Sequence, residues 1–116
     1  LHEVPVMILP YVDLATLAVT DQFLDRTSIV GGGSLYTFVQ NLLLAGTHEG
    51  LGSSLTTLVA AEQPSMDELL GVPAGFALGA LLAFGWPQPD KQYTKLSRKP
   101  VEEIAFRDRW DEPFSN

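Results

Sequence analysis

The sequence predicts a mixed α+β fold of a single domain over residues 1–116. Two kinds of segment support this prediction: a long apolar stretch with helical spacing at residues 35–47, and short, nearly all-apolar runs of strand length at residues 4–10 and 76–86. With 116 residues and 46% hydrophobic content, the chain forms one domain at most, with a modest core.

The first predicted element is a strand over residues 4–10. This run is bounded by Pro5 and Pro10 and shows no polar alternation, so we expect both of its faces to be covered. Residues 14–24 have a mixed pattern, and the three glycines at 31–33 predict a loop.

The next element is a helix over residues 35–47, with Ser34 as its expected N-cap. Leu44 lies off its broad apolar face, so we expect the helix to be buried nearly all round. The residues that form this face are Leu35, Phe38, Val39, Leu42 and Leu43.

Residues 50–57 predict a sharp turn from the helix end into a short Ser/Thr-rich strand. Gly50 and Gly52 permit a close approach of the backbone, and the strand offers N–H groups and hydroxyls beside an apolar surface. This combination suits a flat ring rich in heteroatoms better than a charged metabolite. An ordinary structural turn and strand is the alternative interpretation.

The remaining elements are predicted from helix-capping residues and from glycines and prolines that end helices and strands. Ser65 and Glu68 match a capping box for a short helix that stops at Gly71. After a turn at residues 72–75, residues 76–86 predict one apolar strand that ends at Pro87. Residues 88–116 predict an extended arm, and Trp86 and Trp110 are expected core or interface anchors.

Charge is distributed unevenly along the chain. The net charge of −7 argues against nucleic acid as a partner. Six of the seven basic residues nevertheless lie in residues 91–116, and four of them, without an acid between them, are Lys91, Lys95, Arg98 and Lys99. This cluster could hold one phosphate group, or it could be a solvated basic loop.

Several classes of function are excluded or disfavoured by the sequence. The absence of cysteine excludes disulfides and thiolate chemistry and fits the cytoplasm. No apolar run approaches the ~18 residues of a membrane span. His2 and His48 are isolated, which disfavours a metal site, and the segment 50–53 is not a nucleophile elbow. Gly31–Gly33 lacks the lysine of a phosphate-binding P-loop.

Five motifs in order resemble one known family. They are Gln40–Gly46, Gly50–Thr57, Leu69–Gly75, Leu81–Pro87 and Arg98–Glu103. Their order and spacing resemble the C-terminal half of the FMN-dependent nitroreductase family, from about Val4 to Trp110. The resemblance implies a three-layer α-β-α sandwich, of which this chain supplies the C-terminal half. It also implies transfer of hydride from NAD(P)H through FMN to a nitro compound, quinone or related acceptor.

The resemblance further implies which residues contact FMN. Arg98 matches the family's phosphate-binding position two residues before a proline, with Lys95 nearby. Leu55, Thr56 and Thr57 match the strand that meets the edge of the isoalloxazine ring, partly through main-chain groups. No residue is expected to act as an acid–base catalyst.

Two helices and two or three strands with apolar faces do not close a domain by themselves. We therefore expect a homodimer, or a missing N-terminal half of the same fold, to cover these faces; family members form intertwined homodimers. A flavin-binding or dimerising fragment without turnover of its own is the alternative.

Overall fold

The computed structural model of the chain describes residues 3–90 and 95–113, and it has an α+β fold. Two α-helices span Gly33–His48 (α1) and Gln63–Leu70 (α2). The five strands are β1 (Val6–Ile8), β2 (Tyr11–Asp13), β3 (Gly52–Thr56), β4 (Phe76–Leu78) and β5 (Leu81–Gly85). Short 3-10 turns span Leu14–Thr16, Val30–Gly32, Leu58–Glu62 and Val101–Glu103.

The strands form two antiparallel sheets. In the three-stranded sheet, β5 lies between β1 and β3, while β2 and β4 pair separately. The single strand predicted over residues 76–86 is therefore wrong, because it breaks at Gly79 and Ala80. Pro10, opposite this break, has no N–H to donate, and the register shifts by one residue between the pairs Ile8–Leu82 and Tyr11–Leu78. Residues 9–10 therefore lie opposite three residues, 79–81, and this one extra residue is the arrangement of a β-bulge.

The core lies between α1 and one face of the three-stranded sheet. Val39 of α1 is buried with Ala80, Leu82 and Phe84, and Gly46 approaches the ring of Phe84 closely. Ile8, Leu42, Leu43 and Leu51 pack around this cluster and are partly buried.

Helix α1 matches the predicted position, but its start and its burial differ from prediction. Ser34 is not the N-cap: the helix begins at Gly33, and Gly32 precedes it without a side-chain cap. The expectation of burial nearly all round is also wrong, because several large side chains of α1 remain about half exposed. Tyr36, Phe38 and Leu44 are 45%, 54% and 57% exposed.

The end of α1 leads directly into β3 through a Schellman motif. Gly50 has a φ of 79° and donates to Thr47, while the N–H of Leu51 donates to the carbonyl of Gly46 over 2.8 Å. Glycine tolerates this left-handed conformation, so the predicted turn at Gly50 is confirmed.

Helix α2 also begins earlier than predicted. Its first residue is Gln63 and Pro64 lies in its first turn, so Ser65 is inside the helix and does not cap it. Proline already has the helical φ and needs no partner for an N–H there. The predicted stop at Gly71 is confirmed by a φ of 65°.

The structure leaves much apolar surface exposed. Strand β1, predicted to be covered on both faces, is an edge strand with Val6 and Met7 half-exposed. Trp86 and Trp110 are also largely exposed, so neither anchors the core. The radius of gyration is 18.2 Å, against about 13 Å for a compact domain of this length.

The C-terminal segment is described over residues 95–113. It contains one 3-10 turn, an isolated bridge between Phe106 and Pro113, and a ring contact between Phe106 and Trp110 with centroids 5.0 Å apart. Within the described ranges, no helix is long and apolar enough to cross a membrane.

Candidate functional site

Strand β3 presents one free edge at the side of the sheet. It pairs with β5 alone, so the backbone groups that alternate away from β5 are not used by the ladder. Leu55 pairs with Leu82 and shares the face that packs on α1, yet it remains 40% exposed. The strand therefore offers main-chain polar groups next to an accessible apolar side chain.

The two threonines lie where β3 ends. The Oγ1 of Thr56 accepts a hydrogen bond of 3.2 Å from the N–H of Leu58, and Thr57 precedes the 3-10 turn Leu58–Glu62. The Thr56 hydroxyl thus stabilises the turn and keeps its own hydrogen available for donation. Leu55, Thr56 and Thr57 are consecutive and come together at one end of the free edge.

A groove of about 440 Å³ lies at the other end of β3. Ser53 and Ser54 line it together with Gly85 and the exposed indole of Trp86, whereas Leu55, Thr56 and Thr57 do not. Both serines belong to residues 50–57, the segment that the sequence analysis predicts to lie beside a flat ring. The accessibility of Trp86 had no sequence signal, because an apolar strand end is equally compatible with burial.

Lys95 and Arg98 lie in an exposed segment without regular secondary structure. Within residues 3–90 and 95–113, the ion pairs are Arg26–Asp21 and Arg109–Glu112, so both predicted phosphate ligands are free of acidic partners there. No hydrogen bond in the same ranges joins either residue to β3. The described structure therefore does not join the two predicted groups of site residues by a hydrogen bond, and Lys91 lies outside the described residues.

A buried carboxylate that the sequence analysis missed is Asp21. It accepts hydrogen bonds from Ser28 Oγ at 2.7 Å, from the N–H of Ile29 at 3.0 Å and from Arg26 Nη1 at 2.7 Å. These partners lower its pKa to about 2, with the Ser28 bond first, the Ile29 N–H next and Arg26 contributing less. The role of the Asp21 carboxylate is to hold the loop from Asp21 to Ile29 closed.

A second polar cluster joins α2 to β4. The Gln63 side chain donates to Asp67 Oδ2 at 3.0 Å and to the carbonyl of Phe76 at 2.9 Å, and it accepts from the N–H of Leu78 at 2.9 Å. Burial, followed by the nearby Asp67 carboxylate, raises the pKa of the Tyr11 hydroxyl. The side-chain amide of Gln63 thus hydrogen-bonds to the backbone of β4 as a neighbouring strand would. Its role is structural.

The described residues offer no candidate metal site. Among the residues that the structure describes, no group of three or more His, Cys, Asp or Glu side chains could hold an ion.

The comparison with known protein families points to a class of oxidoreductases. The family model of the nitroreductase family matches residues 1–86, which is most of the 116-residue chain. The chain therefore belongs to the nitroreductase family, whose members generally use flavin cofactors. No curated protein matches the chain.

Proposed function

We propose that the protein is an FMN-dependent oxidoreductase that passes hydride from NAD(P)H to a nitro compound, a quinone or a related acceptor. The observation that carries the proposal is the match to the nitroreductase family over residues 1–86. The cysteine-free composition is compatible with the cytoplasm as its location.

The chain carries the three kinds of chemical group that FMN needs from a protein. FMN needs N–H donors at the polar edge of its ring, an apolar surface against the ring and a cation for its phosphate. The free edge of β3 supplies the first, exposed Leu55 the second, and Arg98, with no acidic partner in the described chain, the third. We propose that Leu55, Thr56 and Thr57 contact the ring edge and that Arg98, with Lys95, holds the phosphate.

The flavin supplies the hydride-transfer chemistry when it is bound. The protein's own contribution is positioning and electrostatics. Backbone N–H groups at the end of β3 would stabilise negative charge that develops on the ring, and Leu55 would exclude water from one side of it. Because the flavin carries out the hydride transfer, the proposed reaction needs no acid–base side chain from the protein.

We further propose that a second copy of the chain, or another part of the same fold, completes a three-layer α-β-α sandwich. Helix α1 supplies one outer layer, and Met7, Ser54 and Ala83 share the opposite face of the sheet by register. Exposed Phe38 and Leu44 on α1 supply apolar contact area for a partner. The open shape, with a radius of gyration of 18.2 Å, supports the same proposal.

A first experiment measures FMN affinity in two matched variants. Arg98→Ala removes a bidentate, charge-assisted contact, and we expect affinity to fall roughly ten- to hundred-fold. Lys99→Ala removes the adjacent charge and should have a smaller effect, because a lysine is a point charge without a planar fork. Fluorescence titration of FMN measures both, and equal losses would show a diffuse patch and contradict the assignment of one clamp.

A second experiment tests association. Sedimentation at micromolar concentration should show no stable folded monomer, because the described core is small and the exposed apolar surface is large. A monomer with a cooperative thermal transition would contradict the dimer proposal.

The alternative is a flavin-binding or dimerising fragment without turnover. It is favoured by one observation: within the described residues, no hydrogen bond joins the Arg98 segment to β3. A yellow purified protein would exclude a purely dimerising fragment. Bleaching of that colour by NAD(P)H would then separate the enzyme from the binder.

A further inference from the structure

A second cavity lies away from the free edge of β3. It has a volume of about 330 Å³, opens to solvent, and is lined by the β2–β4 pair, the segment from Leu14 to Gly31 and the first turn of α1. Small-molecule sites in proteins begin at about 300 Å³, and a cavity of about 150 Å³ already accepts benzene. The space is therefore sufficient for one substituted ring.

The cavity is apolar and carries no formal charge on its described lining. Leu14, Leu17, Val19 and Leu35 contribute carbon surface. Ser28 and Tyr36 supply the polar side chains of that lining. A charged ligand would lose its hydration here without gaining an opposite charge, whereas a neutral ring would not.

Two glycines let side chains of the cavity wall pack directly against the backbone. A Cβ on Gly32 would lie 2.9 Å from the ring of Tyr36, and a Cβ on Gly79 would overlap the side chain of Leu35. Side chains at these positions would displace Tyr36 and Leu35, which line the cavity.

The walls are fixed by hydrogen bonds from three directions. The Tyr36 hydroxyl donates to the carbonyl of Gly79 over 3.2 Å, and the N–H of Leu14 donates to Gly75 over 2.9 Å. Buried Asp21 accepts from Ser28 and closes the loop on the third side. A cavity held in this way does not need to be assembled by its ligand, which lowers the entropic cost of binding.

We propose that this cavity is a binding site for a neutral, single-ring aromatic compound. The ring contacts the leucine and valine side chains, and a hydroxyl substituent donates to the hydroxyl oxygen of Ser28 or Tyr36, whose own hydrogens are already donated to Asp21 and Gly79. Binding here requires no bound flavin, so it can be measured independently of the proposed redox activity.

The test uses p-cresol as a neutral probe and benzoate as its charged counterpart. Saturation-transfer NMR on the full chain without NAD(P)H should detect p-cresol and give at least about tenfold weaker binding for benzoate. Ala77→Leu adds side-chain volume to the lining and should weaken p-cresol at least about tenfold, since methylene-sized changes in apolar pockets have effects of this order.

Ala83→Leu is the matched control, because Ala83 lines the groove beside β3 and not this cavity. It should leave p-cresol binding unchanged. Gly31→Ala is a milder second variant, since its new Cβ would lie at an ordinary 3.5 Å from Val19; it preserves the fold and should weaken p-cresol less than Ala77→Leu. Absence of p-cresol binding, equal binding of benzoate, or equal losses in the Ala77 and Ala83 variants would overturn the proposal.

Discussion

The two faces of α1 have similar side chains and opposite surroundings. On the inner face, Val39 is buried against Leu82 and Phe84 of β5. On the outer face, Phe38 and Leu44 are more than half exposed. The difference shows that the hydrophobic pattern of a helix does not by itself tell which face the rest of the chain covers.

The inner face is also more tightly constrained in shape. Gly46 lets the helix approach the sheet closely, whereas Gly33, at the start of the same helix, has no heavy atom within 4 Å of its Cβ direction. The comparison predicts that equivalent substitutions on the two sides have unequal effects, and the following variants test that prediction in order of expected size.

The largest effect is expected from Leu82→Ala. Leu82 is 0% exposed, and truncation of a fully buried leucine leaves a cavity that costs about 2–5 kcal/mol. Leu44→Ala is the control on the outer face, where we expect a change below about 0.5 kcal/mol in the fold itself. Chemical denaturation at several protein concentrations measures both. A concentration-dependent loss for Leu44→Ala alone would identify the outer face as an association surface.

A smaller effect is expected from Gly46→Ala. Its Cβ would lie 2.5 Å from the Phe84 ring, and the overpacking cost of about 1–3 kcal/mol should exceed the ~1 kcal/mol gained in helix propensity. Gly33→Ala meets no neighbour and should stabilise by about 0.4–1 kcal/mol. Thermal unfolding compares the pair, and stabilisation by both variants would show that the inner face is loosely packed.

The smallest effect is expected from Asp21→Asn, and it appears as a pH dependence. The pKa of Asp21 is lowered in the fold from 3.8 to about 2, so its contribution to stability is complete above pH 3.8 and disappears as the pH falls towards 2. The melting temperature of the unmodified protein should therefore decline more steeply over this window than that of Asp21→Asn. Asp25→Asn, an exposed residue of the same loop, should keep the steep decline.

The sequence predicted those elements whose signals are local. The spacing of Leu35, Val39 and Leu42 located α1, and Gly50 and Gly71 located the two helix ends. Each of these signals acts through neighbours within a few positions along the chain, so it can be detected without tertiary information.

The features that sequence analysis missed depend on distant partners. The strand break at Gly79 and Ala80 follows from pairing with segments on both sides of Pro10, and the exposure of Val6 follows from its place at a sheet edge. Ser34 and Ser65 are of a residue type that often caps helices, but the two helices begin before these serines. For the candidate site, the edge position of β3 agrees with the proposed main-chain contacts, while the Arg98 assignment depends on the family resemblance.

The pairing of β1 with β5 has a consequence for the timing of synthesis. Val6 pairs with Phe84, so β1 has no partner strand until 78 further residues have been made. At about 5–20 residues per second, the ribosome takes roughly 4–16 s to supply them. During this interval the apolar run at residues 4–10 is an unpaired strand of the nascent chain. Its two prolines, Pro5 and Pro10, interrupt the row of N–H donors and so disfavour premature pairing with other chains.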